Sequence, residues 1–171
     1  MTACSSLGET HVSWVYEHGV IRVYRGFEKL MLEVLVGVMN NDTATVGSKI
    51  GVPLPKHLTD EVCQYLVVGT GYFDFKGRDG LLALLQRFLP GPHWLVKTIR
   101  KPTYKDTLEQ LSALRNFAAH SSARAKKTAK EVTGHERLAS AGAWLKHQGR
   151  FSAMTKHMRL LAQDITKSAP R

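Results

Sequence analysis

Arg115, Asn116 and His120 stand at the end of an apolar run that includes Leu108, Leu111, Leu114 and Phe117. A guanidinium holds phosphate oxygens through a planar fork of donors. An imidazole takes up or releases a proton near neutral pH. An amide beside them can orient either group. Together they suggest cutting RNA without a metal, because RNA carries its own nucleophile in the 2′-hydroxyl. His120 suits the proton work, since an ordinary imidazole titrates at about 6.5. Arg115 suits the charge that builds on the phosphate oxygens. The products of such a reaction are a 2′,3′-cyclic phosphate and a 5′-hydroxyl.

One histidine cannot easily serve as base and acid at opposite ends of the same bond. A symmetric dimer that sets two copies face to face would supply both. The expected assembly is therefore a homodimer with a composite site.

Spacing alone is weak evidence. Arginine followed by histidine at short range occurs at Arg87–His93, Arg115–His120 and Arg150–His157. Pro90 and Pro92 interrupt the first, so no helix can hold it. The third flanks the apolar stripe of the last helix and reads as a solvated face. In the second, Asn116 and His120 are four residues apart and share one helical face. The plain alternative is a capping or surface histidine beside a solvent-facing arginine.

Arg115-Asn116 followed by His120, with leucines at 108, 111 and 114 before it, resembles the motif of the HEPN superfamily. The segment Val23-Tyr24-Arg25-Gly26-Phe27-Glu28 is similar to the first long helix of many members, and Trp144 through Ile165 resembles their last helices. The likeness covers most of 11–167, although only the motif is specific, and the irregular region 69–103 fits it less well. The resemblance implies a single HEPN-like domain over 1–171, an all-α helical bundle with irregular connections. It implies metal-independent RNA cleavage by Arg115, Asn116 and His120, two copies acting together, and a role as a toxin or defence effector. An antitoxin or another defence protein would then be a partner. Members that have lost catalysis serve as binding modules. One subgroup carries a modifiable tyrosine two residues after the histidine, where this chain has Ser122.

Charge points the same way. The net charge is +10 in 171 residues. Residues 1–114 hold 12 Lys/Arg against 11 Asp/Glu, whereas residues 115–171 hold 12 against 3. A basic field confined to one part of the chain favours a phosphate backbone or an acidic protein. Arg124, Lys126, Lys127 and Lys130 lie just past the motif and are candidates to track RNA. Their plain reading is a solvated charge run.

Cys4 and Cys63 make neither a metal spacing nor a disulfide framework and suit a reducing, cytoplasmic setting. The histidines show no HExxH or paired metal-ligand spacing, so no metal or cofactor is expected. Gly69-Thr70-Gly71 lacks the neighbours of a phosphate-binding loop. The start of the chain lacks the basic and apolar parts of a signal peptide. The longest apolar run, Leu81–Leu85, is too short to span a bilayer, so no membrane partner is expected.

The elements that must position the motif are helices. Tyr24, Phe27, Met31, Val34, Leu35 and Val38 recur at helical spacing from about 11 to 40, with a break expected near Gly19. Glu28 sits beside this stripe, either orienting Arg115 or His120 or lying on the rim. Residues 41–56 read as a connection. Thr59 is placed to cap a second helix with Val62, Tyr65 and Leu66 inward. Tyr72 to Phe75 alternates weakly, as in an extended piece. Asp79 is placed to cap a helix from Gly80 to Leu89, and a turn is expected at 94–99. Thr103 is placed to cap the motif helix. The stretch 121–134 reads as a basic loop, or as a helix that orders only on a partner. A helix at 136–148 and a last one through Phe151, Met154, Met158, Leu161 and Ile165 complete the bundle. Trp14, Trp94 and Trp144 read as core anchors. A DNA-reading role for 103–120 is disfavoured, because its leucines claim that helix for a core.

Overall fold

The computed structural model describes residues 8–170 and contains only helices and connections, with no strand among the described residues. Cys4 lies outside the described residues. The helices are α1 (Glu9–Asn41), α2 (Thr43–Ile50), α3 (Asp60–Val68), α4 (Gly77–Leu85), α5 (Trp94–Arg100), α6 (Lys105–His120), α7 (Ala123–Thr133), α8 (Ala141–Leu145) and α9 (Arg150–Ser168). A 3₁₀ turn at Pro102–Tyr104 leads into α6. Among the described residues no helix is long and apolar enough to cross a membrane.

The 33-residue α1 spans roughly 50 Å. Its stripe Val20, Tyr24, Phe27, Met31, Leu35 and Met39 is buried. It packs on α6, α3 and α8. The stripe of α6, Leu108, Leu111, Leu114 and Phe117, is buried on the side packed against α1. Met154, Met158, Leu161 and Ile165 of α9 are buried, as their spacing predicts.

Several local expectations give way to packing. Gly19 does not break α1. The Phe151 ring lies where a Cβ on Gly19 would stand, so this glycine makes room for α9. Residues 43–50, expected in a connection, form α2, begun by an Asp42 carboxylate that accepts from the Thr45 N–H at 2.9 Å. In α3, Thr59 caps as expected, but Cys63 and Val67 turn inward while Val62 and Tyr65 are exposed. The Cys63 thiol donates to Asn40 Oδ1 at 3.0 Å.

Asp79 does not cap α4, which begins two residues earlier at Gly77. Its first turn is satisfied from α6 instead: the Glu109 carboxylate accepts from the Arg78 N–H at 2.9 Å. Thr103 makes no cap for α6, because the 3₁₀ turn already leads the chain into the helix. Only 141–145 of the expected 136–148 helix forms. Trp144 is buried and Trp94 half-buried, but Trp14 is 58% exposed and is not a core anchor.

The largest correction concerns 121–134, which is helix α7 packed on α6, not a loop. Ser121 takes a left-handed backbone (φ 44°) and reverses the chain. The Ser122 hydroxyl then caps α7 by accepting from the Ala125 N–H at 3.2 Å. Ala125, Ala129 and Val132 form the inner face, and their small side chains let the helix lie close to α6.

Candidate nucleic-acid cleft

The motif sits on the last turns of α6, and its members point in two directions. Glu109, Ala113, Asn116 and His120 form one stripe along the helix, at successive spacings of four, three and four residues, with Ser112 beside it. This stripe is one wall of a cleft of about 300 Å³. Ser122, Arg124, Ala125, Thr128 and Val132 form the second wall, and Lys76 and Gly77 close one end. His120 is exposed at the end of α6, and Asn116 is half-buried.

Arg115 does not line this cleft. It lies about 100° further round the helix from Asn116, and its guanidinium stands 4.7 Å from the centre of the Tyr24 ring. Its Nη1 donates to Asn116 Oδ1 at 2.8 Å. Asn116 therefore links the two directions: it accepts from Arg115 and also faces the cleft. Tyr24 is fixed in turn, because its hydroxyl donates to the Phe75 carbonyl at 2.6 Å. Burial pushes its phenol well above the usual range, with the Glu28 and Asp74 charges adding to the rise.

Glu28 is half-buried on α1 within the electrostatic reach of Arg115. Burial raises its carboxyl above the ordinary value, Arg115 opposes that rise, and Asp74 adds to it. Among the described residues Glu28 forms no ion pair within 4 Å. It is part of the surroundings of Arg115, and it is not a lining residue of the cleft at His120.

The basic run on α7 is divided by helical geometry. With Ala125, Ala129 and Val132 inward, Arg124 falls on the edge beside the cleft. Lys126 and Lys130 share the opposite edge, and Lys127 points outward. Of the four cations, only Arg124 lines the cleft. Lys76 and Glu109 were not among the candidate residues. Glu109 is on the same face as Asn116 and His120, so a helical wheel could have found it. Lys76 comes from a distant connection and had no sequence signal.

The other arginine–histidine pairs are built differently. Arg150 is half-buried, stacks over Trp144 at 4.6 Å and donates to its carbonyl at 3.2 Å, so it is not a solvated group. His157 is exposed and meets Thr107 Oγ1 at 3.1 Å. His93 caps α5 through Nδ1, which accepts from the Leu95 N–H at 3.2 Å.

No group of three or more His, Cys, Asp or Glu side chains among the described residues is arranged to hold a metal ion. The cleft thus offers an imidazole, an amide, two cations and a carboxylate that is already engaged with the start of α4. That set can bind a phosphate and move a proton beside it. No protein-family model, curated protein or solved structure matches the chain.

Proposed function

We propose that this chain is a metal-independent endoribonuclease of HEPN type. The observation that carries the reading is one cleft lined by His120, Asn116, Arg124 and Lys76, with Arg115 held to Asn116 beside it. His120 moves the proton. Arg124 and Lys76 hold the RNA backbone, and Lys126, Lys127 and Lys130 extend the basic surface beyond the cleft. Arg115, held on the Tyr24 ring, meets the phosphorane charge by acting through Asn116. Each chain brings a single imidazole to this cleft, so the complete site belongs to a homodimer in which the second His120 protonates the leaving oxygen. In a cell the protein acts in the cytoplasm as a toxin or defence effector, restrained by an antitoxin or a similar partner.

The test is cleavage of labelled RNA in excess EDTA, with the products separated by end-group chemistry. The parent should leave 2′,3′-cyclic phosphate and 5′-hydroxyl ends. His120→Ala and Arg115→Ala should each lower the rate at least about a hundredfold while remaining folded. The rate per chain should fall on dilution as dimers separate. Undiminished cleavage by pure His120→Ala protein would overturn the reading. On expression, the parent should arrest growth and His120→Ala should not.

A second reading, RNA binding without scission, is favoured by one observation: the Arg115 guanidinium is turned onto Tyr24 and away from the cleft. It predicts salt-sensitive binding with no product.

A further inference from the structure

Residues 72–76 alternate strictly in burial. Phe73 and Phe75 are inside, and Tyr72, Asp74 and Lys76 are outside. This is the pattern of an extended chain with one face on a core. The inner face is fastened to both long central helices. Tyr24 of α1 holds the Phe75 carbonyl, and the Phe75 ring meets Phe27 and Phe73 edge-on. Glu109 of α6 holds the N–H of Arg78 in the first turn of α4, two residues after Lys76. The outward side chains therefore ride on a fixed backbone.

One end of this segment is in the cleft, where Lys76 is a lining residue. The other end carries Tyr72, which is 95% exposed. A single exposed aromatic ring needs no explanation by itself. Here it stands on a fixed extended segment that leads to a cationic cleft, with its ring open on both faces. Aromatic rings stack on unpaired bases, and a duplex keeps its base faces covered.

We infer that the segment from Tyr72 to Lys76 is a track for single-stranded RNA, with a base stacked on Tyr72 and a phosphate of a neighbouring nucleotide held by Lys76. The inference rests on the cleft being an RNA site and adds the substrate class: unpaired RNA entering along this edge. Four residues of extended chain reach roughly 13 Å, which places the base and the phosphate on different nucleotides. Asp74 faces outward between them and opposes the phosphate charge, so removing that charge should tighten binding.

The experiment measures the affinity of the full chain carrying His120→Ala, which prevents turnover. The probes are a short labelled single-stranded RNA and the same strand annealed to its complement. Adding Tyr72→Ala should weaken single-strand binding roughly tenfold and leave duplex binding nearly unchanged. Tyr72→Trp should restore single-strand binding, and Asp74→Asn should strengthen it. Lys76→Gln should reduce the salt slope by about 0.7, the value for one phosphate contact to a single strand, whereas Tyr72→Ala should not. Because Tyr72 is exposed, the melting temperature of Tyr72→Ala should match the parent's. Equal single-strand affinity with and without the ring would overturn the track, as would equal losses on single strand and duplex. A change in mass in solution without a change in RNA affinity would also overturn it and make Tyr72 a protein contact. If the parent cuts RNA while Tyr72→Ala binds normally, only the track fails. A parent that neither binds nor cuts RNA removes both readings.

Discussion

The guanidinium of Arg115 lies over the ring of Tyr24, 4.7 Å from its centre, while the Tyr24 hydroxyl donates to the carbonyl of Phe75 at 2.6 Å. One aromatic side chain thus supports the arginine of the motif on its face and fixes the 72–76 segment at its edge. The two functions can be separated by mutation.

Tyr24→Phe keeps the ring under Arg115 but removes the donor to Phe75. A buried carbonyl left without its partner costs about 1–3 kcal/mol. Denaturant unfolding should show that loss. RNA cleavage should fall much less than with Tyr24→Leu, which also removes the cation–π contact that holds Arg115 beside Asn116.

Glu28 gives a pH prediction. Its carboxyl is raised by burial despite the pull of Arg115, so the folded protein holds this proton more tightly than the unfolded chain. Its effect on stability is therefore unfavourable. It is absent below the ordinary carboxylate range and grows as pH rises through the interval from the unfolded value to the raised folded one. Glu28→Gln should be more stable than the parent at neutral pH and should lose this pH dependence. Melting temperatures across the acid range will show it, and a less stable glutamine variant would contradict it.

Gly77 has φ 62°, and a Cβ there would overlap the Glu109 carboxylate. Gly77→Ala should combine backbone strain with loss of the Glu109 contact to the first turn of α4, costing about 1–3 kcal/mol. Because Gly77 and Glu109 both line the cleft, the same variant should bind RNA more weakly. Unfolding and anisotropy titrations measure the two effects.

Ser121 holds a left-handed backbone at the reversal from α6 to α7. Glycine takes that conformation without the Cβ penalty. Ser121→Gly should stabilise the fold by about 0.5–1 kcal/mol, read from the denaturant midpoint. Ser121→Val should destabilise it and displace Arg124 from His120, lowering RNA affinity.

The helical class was legible because periodic stripes such as Tyr24, Phe27, Met31 and Leu35 or Met154, Met158, Leu161 and Ile165 declare which face is buried. The shared face of Asn116 and His120 was legible for the same reason. Helix α7 was not. Its composition is polar and small, so its tie to the bundle comes from three modest side chains meeting α6, and a basic run of that kind reads equally well as solvated chain. Residue type points to the wrong inward face of α3, because Val62 and Tyr65 are apolar in type but exposed in place.

By itself the sequence determined an α-helical chain, a buried α6 stripe that ends in Arg115, Asn116 and His120, and a concentration of positive charge after residue 114. These follow from local periodicity and residue chemistry. Tertiary structure alone decided that Arg115 rests on Tyr24, that Arg124 reaches the cleft while Lys126 and Lys130 do not, and that Lys76 closes it. Those outcomes depend on contacts between residues far apart in the chain, where the direction of a side chain is set by the neighbour it meets.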